Sequence, residues 1–175
     1  EDAPSDLEYG LLNSQHDFIL STQPIMSSSL VVVPLFREPL KLVISRDHKL
    51  ANKKTINRMD LLGEQVLTIG EHHLFHRQIT ELCEKVGAEV RRDYEGTSLD
   101  TLRQMVVMGM GITFLPALYV ASEINDSDTL RVTDVAGVSM SRDHVLAWRR
   151  RSPARVFFRQ LADAIRTIVN EQLRG

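Results

Sequence analysis

Apolar positions recur along this chain in two rhythms, one with helical spacing and one of short unbroken runs suited to buried strands. Leu99, Leu102, Met105 and Val106 share a helical stripe, and the pattern predicts a helix opened by Thr97, with Asp100 at capping-box distance. Gly109-Met110-Gly111 should end it before a short strand from Ile112 to Leu115, which Pro116 stops. Phe75, Ile79, Leu82 and Val86 form a second stripe that Gly87 closes, between strands expected at Val66 to Ile69 and Glu89 to Tyr94. Near the start, Pro4-Ser5 with Glu8 opens a helix whose stripe is Leu7, Leu11 and Leu12. Near the end, Ser152-Pro153 opens a long helix with Phe158, Leu161, Ala162, Ile165, Val169 and Leu173 on one face and Arg159 four residues before Asp163 on the other. Strands are also expected at Asp17 to Ser21, Leu30 to Val33, Leu40 to Ser45 and Val145 to Trp148. Pro34 and Pro39 separate the middle two, so the chain should turn or change lobes there.

Strands alternating with helices argue for an α/β fold with a mostly parallel sheet, helices on both faces and ligands at the carboxyl ends of the strands. Ser27-Ser28-Ser29 and Asn125-Asp126-Ser127-Asp128 read as surface loops. The start of the helix after Thr97 points amide hydrogens outward, an arrangement suited to an anion or a polar ligand.

Composition narrows the function. The 175 residues are 43% apolar and 25% charged, enough to bury a core of one or two lobes. A formal charge of −2 and a pI near 6.3 give no basic footprint for nucleic acid on this chain. The single cysteine, Cys83, excludes an internal disulfide; with no leader or long apolar run visible, a reducing cytoplasm and no membrane partner are expected.

Candidate chemistry is sparse. There is no nucleophile elbow, phosphate loop, glycine fingerprint or usefully spaced pair of carboxylates, so neither catalysis nor a cofactor is expected. His72, His73, His76 and Cys83 include zinc- and copper-type donors, but no second cluster completes four ligands and no metal site is assigned. Cys83 borders its helix's buried stripe and reads as a small hydrophobe. Arg149-Arg150-Arg151 with Arg155 reads as a solvated face at a strand-to-helix junction, phosphate binding being the alternative. Met105, Met108 and Met110 read as core or dimer packing.

Residue identity adds what spacing cannot. Thr97-Ser98-Leu99-Asp100-Thr101-Leu102-Arg103 followed by Gly109-Met110-Gly111-Ile112-Thr113-Phe114-Leu115-Pro116 closely resembles the effector-binding domain of LysR-type transcriptional regulators, in particular the peroxide-sensing OxyR branch. The likeness continues in His16 to Leu20, Val33 to Leu40, Asp47 to Ala51, Leu67 to Ala88 and the helix after Ser152-Pro153. It implies two Rossmann-like lobes of the periplasmic-binding-protein type joined by two crossing strands, residues 1–38 plus 144–175 and residues 39–143. In the family a helix-turn-helix, a linker helix and a strand and helix of the first lobe precede the point matching Glu1, so the first lobe is expected to be incomplete at its N-terminus. The implied partners are a small-molecule effector between the lobes, further copies of the chain in a dimer or tetramer, and DNA held through the absent N-terminal domain. Pairing of copies is expected through the helix from Leu99 to Met108.

In the OxyR branch a peroxide-reactive cysteine follows a histidine, and a resolving cysteine comes nine residues later. His73 matches the histidine and Cys83 the resolving cysteine, while Leu74 stands at the reactive position, Arg77 in place of an aspartate and Pro4 in place of a pocket threonine. Leucine offers no nucleophile, so that switch cannot run here and another effector is expected. Strand-end position and the family's cleft nominate Ser21, Thr22, His72, His73, Thr97 and Ser98 as ligand contacts, with Leu74 and Phe114 as apolar walls. The rival reading is a free-standing solute-binding module or small enzyme on the same fold.

Overall fold

The computed structural model describes residues 4–71, 73–124 and 128–172. In chain order the elements are α1 (Pro4–Leu12), β1 (Phe18–Thr22), β2 (Leu30–Ser45), β3 (Ile56–Asn57), a 3-10 turn (Arg58–Leu61), β4 (Gln65–Val66), α2 (Leu74–Val86) and β5 (Glu89–Val90). They continue as α3 (Leu99–Val107), β6 (Thr113–Pro116), α4 (Ala117–Glu123), β7 (Leu130–Thr133), β8 (Val135–Ala136), β9 (Ser141–Arg149) and α5 (Arg155–Gln172). The chain divides into two compact units, Glu1–Glu38 with Ser141–Gly175, and Pro39–Met140.

In the first unit β1 pairs antiparallel with β9, from Phe18↔Trp148 to Thr22↔His144, and β9 is flanked on its other side by β2. One face of this sheet, with Leu146 and Trp148, buries Phe158 and Ala162 of α5. The other face sets Ile19, Leu30 and Ala147 against Leu11 of α1. β1 is the last strand of the sheet, and its outer apolar residues stay exposed, Phe18 to 37% and Leu20 to 50%. Only part of the stripe expected on α1 is buried, since Leu11 is inaccessible while Leu12 is 41% exposed.

The second unit carries the larger core, in which Phe75, Ile79, Leu82, Cys83 and Val86 of α2 meet Leu102, Met105 and Val106 of α3 and the strands. α2 closes on Gly87 in the left-handed region (φ 76°), whose N–H donates to Cys83 O; only glycine adopts that φ without strain. β2 lies between β6 (Leu40↔Pro116 to Val43↔Thr113) and β7 (Leu42↔Thr133 to Ser45↔Leu130), antiparallel to both.

Several sequence expectations are corrected. Leu30 to Val33 and Leu40 to Ser45 are not two strands but one, running through both prolines. Extended backbone suits proline's fixed φ, and Pro34 is exposed, on the stretch of β2 before residues 40–45, where β6 and β7 pair with it. The sheet is not mostly parallel: β1–β9, β2–β6 and β2–β7 are antiparallel, and the parallel pairings described are β3–β8, β4–β5 and the bridges Val66↔Ile112 and Ile69↔Gly96. The alternation of strand and helix in a sequence fixes which residues are buried and not the sense in which neighbouring strands pair. The expected strands after Val66 and after Glu89 shrink to two residues each, because their continuations pair only through isolated bridges. α4 was not expected at all, its seven residues lacking a fully buried side chain to give a stripe. Asn125, Asp126, Ser127 and Leu173 lie outside the described residues.

Candidate functional site

Two helix starts meet at one end of the second unit, and the backbone explains why. The N–H of Gly96 donates to Thr68 O, and Ile69 bridges Gly96 in parallel sense, so two segments running the same way end side by side. Each then turns into a helix. One passes through a turn closed by His73 N–H to Gly70 O and enters α2 with His73 as its N-cap; the other enters α3 with Ser98 as its N-cap. The positive ends of both helix dipoles therefore follow adjacent strand ends.

The caps differ. The His73 side chain makes no capping bond, and the first turn of α2 holds no acidic residue to set against the positive end of its dipole. Ser98 Oγ accepts from Thr101 N–H. This corrects the expected box, in which Thr97 and Asp100 were partners: Thr97 stands one residue outside the cap, its hydroxyl 3.2 Å from that of Thr101. Asp100 instead accepts from the Tyr119 hydroxyl at 2.6 Å, and burial followed by that bond pushes the Tyr119 pKa up to about 12. Thr97 and Ser98 are both exposed, and Leu74 opens α2 half-buried. Phe114, expected as an apolar wall, is 3% exposed and belongs to the core. His72 lies outside the described residues.

Sequence reasoning missed Thr68. It is fully buried, and its hydroxyl has no hydrogen-bond partner among the described residues. Such a group normally finds a partner, and here it sits at the strand end from which the turn to α2 departs. A threonine inside the apolar run Val66 to Ile69 was the available signal.

Ser21 and Thr22 lie in the first unit, at the carboxyl end of β1, 9% and 5% exposed. The Ser21 hydroxyl is likewise buried without a partner among the described residues. Opposite Thr22 in register is His144, whose Nε2 lies 2.6 Å from a carboxylate oxygen of the buried Glu38 and whose ring stacks on Phe36 at 4.5 Å. Arg142 completes the group, its pKa lowered by burial and raised in part by Glu38. This group was not foreseen; the one signal was an acid, Glu38, next to Pro39 in a strand of mostly apolar residues.

The thiol has no access to either group. Cys83 is 2% exposed on the core face of α2, and burial pushes its pKa up to about 11. At neutral pH it is a protonated thiol packed as a hydrophobe. His76 does not face it as a metal partner would; its Nδ1 lies 3.0 Å from Ile69 O.

Comparison with known proteins gives this arrangement its relatives. The model of the LysR substrate binding domain matches residues 1–169. The hydrogen peroxide-inducible genes activator of Pectobacterium carotovorum subsp. carotovorum is 39% identical over 140 residues, 80% of this chain and 46% of that protein. The DNA-binding transcriptional dual regulator OxyR of Escherichia coli K12 has the same identity and coverage. The chain thus spans about half the length of the curated relatives it matches. The crystal structure of reduced OxyR superposes with a TM-score of 0.82 at 34% identity, over 95% of this chain and 78% of that one. The chain belongs to the LysR substrate binding domain family, with OxyR regulatory domains as its relatives in both sequence and structure.

Proposed function

We propose that this chain is the effector-sensing part of an OxyR-like transcriptional regulator of LysR type, and that it answers to a small polar or anionic ligand and not to peroxide through a disulfide. The observation that carries the reading is the start of α2. Where the resemblance puts a reactive thiol there is Leu74, beneath a helix end with no acidic residue and no side-chain cap, while the one thiol is buried on the core face. The site keeps an electropositive helix start without the sulfur chemistry.

In this reading His73, Leu74, Thr97 and Ser98 bind the ligand, the backbone amides of α2 facing its negative group and Thr97 offering a hydroxyl. Ser21 and Thr22 are a separate candidate group of polar contacts, at the carboxyl end of β1 in the first unit. The two units are the two regulatory lobes, and the ligand acts by favouring one of their arrangements over another. A ligand with equal affinity for both arrangements would do nothing. DNA binding belongs to parts of the regulator outside this chain, copies associate as a homo-oligomer, and the protein works in the cytoplasm without catalysing a reaction. That the matched relatives are transcriptional regulators favours this over a free-standing solute-binding protein or an enzyme. Among the described residues no helix is long and apolar enough to cross a membrane.

Isothermal calorimetry of the chain against small carboxylates, phosphates and sulfated metabolites tests the reading. A hit whose affinity falls by about 1 kcal/mol or more in Thr97→Val, through the polar group left unpaired, supports it. Hits that bind the variant as tightly remove Thr97 from the site.

A further inference from the structure

Arginines and exposed apolar side chains are concentrated together at the start of α5, in the first unit. Residues 149 to 159, Arg-Arg-Arg-Ser-Pro-Ala-Arg-Val-Phe-Phe-Arg, hold five arginines and no acid in a chain whose net charge is −2. Two of the five have structural duties. Arg149 donates to Leu11 O and His16 O, and Arg150 to Ser28 O.

The other three do not. Arg151, Arg155 and Arg159 are exposed, and none makes an ion pair among the described residues. Asp163, the carboxylate four residues after Arg159 that the sequence offered it, is taken by Arg166 at 2.7 Å. Arg155 and Arg159 stand four apart on one face, a repulsive spacing for like charges, and the first turn of α5 has no acid to complement its positive dipole end. Helix stability thus argues against arginine at these places. Beside this stripe lie Val156 and Phe157, 64% and 58% exposed. Phe157 stands edge-on to the buried Phe158, ring centroids 6.0 Å apart, with more than half of its surface left to solvent.

We propose that Arg155 and Arg159 on α5, with Arg151 in the turn before it and with Val156 and Phe157, form a docking surface for an acidic protein segment that carries an aromatic or aliphatic side chain. Charge complementarity fixes the sign of the partner. The exposed valine and phenylalanine fix its class, because arginine beside aromatic residues is the composition of protein interface centres, whereas a phosphate backbone calls for the cations alone. The surface is small, so the contact is transient and salt-sensitive. The inference does not rest on the effector reading, since it involves neither helix start of the second unit.

Fluorescence anisotropy on the full chain tests it, with a labelled synthetic peptide of Asp and Glu residues around a central Phe-Leu pair. The expected result is binding that weakens at least about fivefold in Phe157→Ala and in the double variant Arg155→Ala/Arg159→Ala, and is unchanged in Arg92→Ala, an exposed arginine of the other unit. Raising salt from about 50 to about 500 mM should weaken it further. All substituted side chains are exposed, so circular dichroism should report an unaltered fold. Equal affinity for a peptide with Gly-Ser in place of the Phe-Leu pair would overturn the proposal, as would tighter binding of a labelled DNA duplex, or no binding of the peptide.

Discussion

Cys83 shows how one residue's surroundings decide what its chemistry can be. In the folded chain the thiol is desolvated and its pKa rises from 9.0 to about 11. Its reaction with peroxide or with a thiol reagent at pH 7.5 should therefore be slow when folded and fast in denaturant, as mass spectrometry of the quenched protein would read. Rapid modification of the folded chain would restore a redox role. The same shift is linked to stability. Folding favours the neutral thiol, so the contribution is present below the unfolded pKa near 9 and is lost as pH rises through about 11. Cys83→Ala should flatten stability between those values and cost about 1 kcal/mol or more at neutral pH from lost packing. Chemical denaturation at several pH values checks both. The side chain's burial was legible in advance, because Cys83 borders the stripe of Ile79, Leu82 and Val86. The pairing of Glu38 with His144 was not, since the two lie far apart in sequence and only the sheet brings their strands together.

At the scale of elements, α2 and α5 were readable because their apolar stripes are long; Gly87 ends α2 as expected, while α5 begins at Arg155, later than Ser152-Pro153 suggested, the Ser152 hydroxyl accepting from Ala154 N–H in the turn before it. The cap of α3 was misread by one residue, since Thr97, Ser98 and Asp100 all carry oxygens able to cap and only geometry selects Ser98. Ser98→Ala should cost about 1 kcal/mol of stability, whereas Thr97→Ala should cost much less, and paired thermal melts would separate them. Met105, Met108 and Met110 were read as core or dimer packing, and pairing of copies was expected through this helix. Met105 and Val106 are core, 7% and 0% exposed, Met110 packs partly buried against it, and Met108, just past the helix end, is 66% exposed. Gly111 gives a sharper element-level test. A Cβ there would stand 2.7 Å from Gln65 O, the oxygen that accepts the Ile112 N–H. Gly111→Ala should accordingly destabilise by about 2 kcal/mol or more through displaced backbone, while Gly63→Ala, with open space around it, should pay only the cost of its positive φ, about 1 kcal/mol. Equal losses in urea denaturation would contradict the packing described between β4 and the strand that follows Gly111.

For the molecule as a whole, the α/β class was legible from alternation, and the family from residue identity at the starts and ends of helices. The direction of strand pairing was not, because hydrophobic pattern records burial and carries no trace of which way a returning strand runs. The order β1–β9–β2 in the first unit likewise depends on which strands become neighbours. The central claim remains that the helix starts of the second unit hold a small polar or anionic effector where the OxyR branch would place thiol chemistry. The most direct measurement is thermal unfolding of the chain and of Thr97→Val across a panel of small carboxylates, phosphates and sulfated metabolites. A true effector at about one hundred times its Kd adds about 2.7 kcal/mol to stability, a rise of several degrees in Tm, and the rise should shrink in the variant. If no compound raises the Tm of the unmodified chain, or if every hit raises both proteins equally, the account of this site is wrong.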